Sequence, residues 1–249
     1  MEKDTLSDSQ TTVTRYLPYL YEIRKRLLFI FTLFSIGWAI GFYYYQPLVL
    51  FVLRLYNLKG INIAFTSPFQ FVNLAINAGI VIGAIVAFPL LTYQVLAFLK
   101  PALLPREFKN ILLLLPLSII LFIAGFMFGT YIMNFVVVIF YHQTIGLNIQ
   151  NLWDIDKFLS QVFLTAFLLG IIFQLPLILT LLLRCGVITH KAVSKQRLLI
   201  YVALLGIVIL LPPTDLLSLA LMFFPLAFIF EITLLLNKNT EKKLMKGGE

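Results

Sequence analysis

The chain has 249 residues, 61% hydrophobic and 12% charged, with a mean hydropathy of +0.97. Soluble domains carry about 25% charged residues, so this chain has too little polar surface to face water and must turn its apolar mass to lipid. The net charge of +8 needs no nucleic-acid partner to account for it, because basic loops set membrane topology.

The segment 1–18 is polar and reads as a flexible N-terminus. Leu27 to Tyr45 follows, nineteen uncharged residues. A cleavable signal has an apolar stretch of about 7–15 residues, so this run reads as a retained first span. The second run, Pro68 to Leu99, holds thirty-two residues without a charge. The third begins at Asn110 and stays apolar to about Tyr141, the fourth is Phe158 to Leu183, the fifth Leu198 to Leu211 and the sixth Leu216 to Asn237. Backbone in lipid must satisfy its own hydrogen bonds, so each run is predicted to be a helix. The expected fold is all-α, with six transmembrane helices in a membrane domain over 19–237 and a basic tail over 238–249.

The lengths are unequal. About 20 residues cross a bilayer, so the second and third helices must tilt, kink or project. Pro89 and Pro116 are candidate kinks. The fourteen-residue fifth run is too short to cross unaided: either it extends into its polar flanks or the bilayer thins beside it, and the last pair is expected to be short. Ser67 before Pro68 reads as a helix cap, Asp154 or Asp156 can cap the fourth helix, and Asp215 can cap the sixth after the Pro212-Pro213 stop.

Suppose both ends are cytoplasmic. Only Arg54, Lys59 and Lys157 then fall on the other side, so sixteen of the nineteen Lys and Arg lie inside. That asymmetry predicts an N-in, C-in topology.

No metalloprotease, nucleophile-elbow or phosphate-loop motif occurs, so no catalytic residue is assigned and the chain is not expected to be an enzyme. The single cysteine, Cys185, excludes an intrachain disulfide. His142 and His190 stand alone, so no metal or cofactor is expected. Within the spans, Gln174 is expected to bond another helix. Glu231, near the cytoplasmic end of the sixth, is a structural or functional carboxylate. A secondary transporter would call for internal repeats and midplane charges, which the halves do not show. An assembly scaffold would lack a peptide-binding site.

The basic face carries two segments that each set one acid among bases: Tyr19-Leu20-Tyr21-Glu22-Ile23-Arg24-Lys25-Arg26, and Tyr93 to Glu107 through Phe98, Lys100, Pro101 and Arg106. With Ser67-Pro68, Phe173-Gln174-Leu175-Pro176, Pro212-Pro213-Thr214-Asp215, Pro225 and Phe230-Glu231, these follow in order the motifs of the TatC family, which the chain resembles. That family is the multispanning receptor subunit of the twin-arginine protein translocase. Tyr19 stands where the family usually has histidine, Leu104 where tyrosine is common and Gln174 where many members have glutamate, and Thr214 interrupts the proline turn. The resemblance implies a plasma, thylakoid or mitochondrial inner membrane protein that exports folded proteins on the protonmotive force. It implies single-span TatA and TatB partners, assembly with copies of itself, and binding of twin-arginine signal peptides. The matching positions for the peptide are Glu22, Glu107, Arg24 and Phe98. Pro47, Pro101, Asp154, Gln174, Asp215 and Glu231 are the structural or partner-docking candidates. A guanidinium pairs bidentately with a carboxylate, so two arginines suit two acids.

Overall fold

With no water to satisfy backbone groups in a bilayer, almost every described residue is helical. The computed structural model describes residues 2–56, 62–64, 67–99, 114–146, 152–184 and 186–238. Side-chain surroundings are described from Tyr21 onward, outside 62–64, 95–96, 98–99, 142–146 and 152–153. Helix α1 (Glu2–Tyr43) contains the first span and is followed by a short α2 (Tyr45–Leu55) and β1 (Asn62–Ala64). Two long helices come next, α3 (Gln70–Leu99) and α4 (Leu114–Gly146), then β2 (Leu152–Asp154). The fourth span is α5 (Ile155–Ile172) with α6 (Leu175–Arg184), and the chain ends through α7 (His190–Lys195), α8 (Arg197–Ile209) and α9 (Leu216–Asn237).

Among the described residues, five stretches are long and apolar enough to cross a membrane: Tyr21–Tyr43, Gln70–Gln94, Leu114–Tyr141, Ile155–Arg184 and Leu216–Asn237. The sixth crossing is α8, whose 13 residues make about 20 Å of helix at 1.5 Å per residue. Of the two helices expected to be short, α8 is the one that falls below a bilayer; α9 has 22 residues. The outward surface is apolar, as lipid requires: Phe31 is 65% exposed, Leu198 77% and Phe228 66%.

Local chemistry explains most boundaries. Asp154 caps α5, its side chain accepting from the backbone N–H of Asp156 and Lys157. Asp215 caps α9, accepting from the N–H of Ser218 at 2.9 Å and from its hydroxyl at 2.7 Å. Ser67 acts through its backbone instead: its carbonyl accepts from Gln70 N–H at 3.3 Å, so Pro68 and Phe69 form a turn and α3 starts later than the apolar run. Pro89 lies inside α3, as read. Pro116 lies near the first described residue of α4. The fourth span is broken where one continuous helix was expected. Pro176 cannot donate and its ring crowds the carbonyl four residues back, so α5 stops at Ile172 and Gln174 N–H turns to the Ile171 carbonyl at 2.9 Å.

Two glycine seams hold the bundle together. On α1, a Cβ at Gly37 would lie 2.9 Å from Gly83 Cα, and one at Gly41 would lie 2.9 Å from Gly79 Cα. Here α1 and α3 run backbone to backbone, each through a small-xxx-small pair. The second seam joins α4 to α5: a Cβ at Gly129 would meet Ala166 Cα at 2.6 Å, and one at Gly125 the Leu169 carbonyl at 2.6 Å. Between the seams Leu74, Ala78, Leu159 and Val162 are fully enclosed. Ile132, Leu169, Val208 and Met222 close the far side of the bundle.

An all-helical reading misses one element. β1 and β2 pair in parallel, with Asn62 opposite Leu152 and Ala64 opposite Asp154. This pair ties the segment before α3 to the segment before α5. Below it a polar ladder continues between the two helices: Gln70 Nε2 donates to Asp154 at 2.7 Å, Asn73 to Asp156 at 3.3 Å and Asn77 to Ser160 at 2.6 Å. At the same end, Tyr56 closes α2 by donating its hydroxyl to the Thr130 carbonyl at 3.0 Å. Burial pushes the Tyr56 hydroxyl well above the usual phenol range. Inter-helical hydrogen bonds in membranes average about 0.6 kcal/mol and reach about 1.7. Replacing Asn77 by leucine is therefore expected to cost about 1 kcal/mol in detergent unfolding, with little change for the outlying Asn73.

Candidate functional site

Glu22 and Arg26 are four residues apart on α1, with the acid on the N-terminal side, so their side chains meet on one face in the favourable order. The pair is formed, and Arg26 also donates from Nη1 to the Gln94 carbonyl of α3 at 3.1 Å. Arg26 thus pins the mouth of α1 to the end of α3. The α1–α3 glycine seam sets this register: Gly83 stands eleven residues before Gln94, and Gly37 eleven after Arg26.

A groove of about 610 Å³ opens here, lined by Glu22, Lys25, Arg26, Leu28, Phe29, Thr32 and Gln94. Its lining combines the charged Glu22, Lys25 and Arg26 with the exposed apolar side chains of Leu28 and Phe29. The Glu22 side chain is 52% exposed, and an ion pair in that much water is worth about 0.2–1 kcal/mol. Its carboxylate is thus oriented by Arg26 yet free to change partner at small cost.

Among the residues singled out from sequence, Arg24 is exposed and lies two residues from Glu22, too few to share its face. Arg26, which sequence reading did not single out, is the partner of Glu22; the four-residue spacing was the signal that could have found it. Phe98 belongs to α3 by its backbone, but its side chain, Pro101 and Glu107 lie outside the described residues. Pro47 sits in the first turn of α2. Gln174 is buried at the α5–α6 break and donates to the Ser118 carbonyl of α4 at 3.0 Å. Ser118 in turn donates to Thr92 of α3 at 3.2 Å. This buried relay joins three spans, while the Gln174 Oε1 atom has no partner among the described residues.

Glu231 is held from both sides by α8. Tyr201 donates its hydroxyl to one carboxylate oxygen, and Arg197 reaches the other at 3.3 Å. Arg197 and Tyr201 are again four apart, so one face of α8 grips one carboxylate. His190 contacts the Leu234 carbonyl at 3.0 Å, tying the start of α7 to α9. At the opposite end of the bundle, a cavity of about 650 Å³ brings Asp154 and Lys157 beside Pro212, Pro213 and Asp215. The α8–α9 turn and the start of α5 therefore share one side, as six crossings require.

The fold defines a multi-pass integral membrane protein with a charged groove at one end of the α1 and α3 spans. The model of the Sec-independent protein translocase protein (TatC) family matches residues 18–225, and the chain belongs to that family. The TatCy protein of Bacillus subtilis (strain 168) is 32% identical over 237 residues, covering 93% of this chain and 92% of that protein. The TatC of Aquifex aeolicus (strain VF5) is 30% identical, covering 90% and 95%. A crystal structure of the twin-arginine translocase receptor TatC in DDM superposes with a TM-score of 0.78 at 28% identity, covering 88% of this chain and 99% of that one. The chain is thus a six-span subunit of the Sec-independent protein translocase, seated in the plasma membrane.

Proposed function

We propose that this subunit is the receptor for twin-arginine signal peptides, with Glu22 and Glu107 taking the two guanidinium groups. The single observation that carries this reading is the half-exposed Glu22 carboxylate in a groove also lined by the apolar Leu28 and Phe29. A peptide with arginines followed by an apolar stretch matches that combination of surfaces. Glu107 follows by its motif position on the same basic face, and Phe98 offers an aromatic face for an arginine. Arg24, turned away from Glu22, is assigned to contacts with other parts of the complex. The name of the crystallised twin-arginine translocase receptor supports the same reading for its own chain.

In this reading residues 19–237 form the membrane domain, preceded by the polar 1–18 and followed by the basic cytoplasmic tail 238–249. The subunit gathers single-span TatA and TatB partners and copies of itself, and works as a receptor and organiser without bond-making chemistry of its own. Pro47, Pro101, Gln174, Asp154, Asp215 and Glu231 serve the bundle or its partners.

A photoreactive residue at Leu28 tests the assignment. It is expected to crosslink a signal peptide carrying Arg-Arg strongly and one carrying Lys-Lys several-fold less, because an ammonium lacks the planar fork that a carboxylate pairs with. Equal crosslinking of the two peptides would sink the proposal.

A further inference from the structure

We propose that the end of the bundle formed by α6, α7 and α8 is a binding site for the phosphate headgroup of an anionic phospholipid. Left-handed Gly186, with φ of +68°, reverses the chain after α6. α7 then returns against the bundle. Val193 of α7 shares one apolar cluster with Leu183 of α6, Leu204 of α8 and Leu234 of α9. Arg184 closes the last turn of α6, Lys191 and Lys195 are exposed on α7, and Arg197 opens α8. The one acid described among them, Glu231, already takes Arg197 and Tyr201.

Topology alone would be served by any basic residues facing water. Here the Nε atoms of both Arg184 and Arg197 are removed from solvent and have no acceptor among the described residues. A buried donor left unsatisfied is costly, so two such donors, on the arginines that close α6 and open α8, point to an anionic acceptor that arrives from outside. Phosphate oxygens are the acceptors guanidinium groups match best. The surroundings select a lipid over a free ion. Val187, Leu198 and Leu199 are 67%, 77% and 64% exposed beside the cluster, so acyl chains run past it as the headgroup docks. This site is distinct from the Glu22 groove and does not depend on the signal-peptide reading.

The test is retention of lipid by the full chain purified in a neutral detergent, with no signal peptide present. Phosphatidylglycerol is expected to remain bound and phosphatidylcholine to be lost. Each basic residue near a membrane surface contributes about 1 kcal/mol toward anionic lipid, which converts to roughly fivefold in affinity. Arg184→Gln is therefore expected to lower phosphatidylglycerol retention about fivefold. The exposed pair Lys191→Gln, Lys195→Gln should lower it further without disturbing packing, so the proposal does not hang on a variant of a part-buried arginine, and neither variant touches the Arg197–Glu231 pair. Retention unchanged in both variants would overturn the site, as would equal retention of phosphatidylcholine. Full displacement of the lipid by inorganic phosphate would overturn the lipid assignment.

Discussion

Gly83→Leu is expected to unseat α1 from α3 and to cost about 3 kcal/mol, the upper part of the range for overpacking a close contact. A Cβ at Gly83 would stand 2.7 Å from the Phe34 carbonyl oxygen and 3.0 Å from Trp38 N. Both are backbone atoms, so no side chain can rotate away. The helices must part or slide, and a slide of one turn is about 5.4 Å. Either movement breaks the Arg26–Gln94 contact, because the same register places both. Unfolding of the detergent-solubilised protein by denaturant measures the loss. Gly206→Ala is the matched control: nothing lies within 4 Å of its Cβ, so stability should hold. A Gly83→Leu protein as stable as the parent would show that the seam is not needed.

The second large effect concerns the receptor face. The Glu22→Gln, Glu107→Gln double variant is expected to bind a twin-arginine peptide about a hundredfold more weakly. Each substitution turns a charged hydrogen-bonded pair into a neutral one, and pairs of that kind are worth about 1.5–3 kcal/mol. Glutamine keeps the size of the side chain, so folding should not change; Glu22 contributes only an exposed pair to stability. Peptide titration against the purified protein reads the effect. Wild-type affinity in the double variant would rule out the carboxylates as the arginine site.

Much of the fold was legible because lipid enforces one rule on backbone, and long apolar runs follow from it. The run Leu216 to Asn237 became α9 residue for residue. Asp154 and Asp215 capped as read, since their short side chains fit that one geometry. The break at Gln174 was not foreseen, although Pro176 announces it, because hydropathy is blind to a helix interruption that stays apolar. The strand pair was missed for a different reason: three residues against three, joining segments far apart in the chain, carry no periodic signal. At the site, Glu22 and Gln174 were visible as rare polar residues. Their partners were not, because Arg26 had several basic neighbours and the Ser118 carbonyl that meets Gln174 is backbone. The glycine pairs Gly37/Gly41 and Gly79/Gly83 were visible in spacing and passed over, since which helices face each other is decided only in three dimensions.

The shortness of α8 has a consequence for the bilayer as an elastic sheet. A helix of about 20 Å facing a hydrocarbon layer of about 30 Å pulls the two leaflets together along one side of the protein. That deformation stores energy in lipid, at a cost that grows with the mismatch. Two copies, or a copy and another short-spanning helix, share one dimple when they stand side by side and deform less membrane than when apart. Lateral clustering on the α8 side then draws on the lipid as well as on protein contacts, and the pull toward neighbours is stronger in a thick membrane than in a thin one.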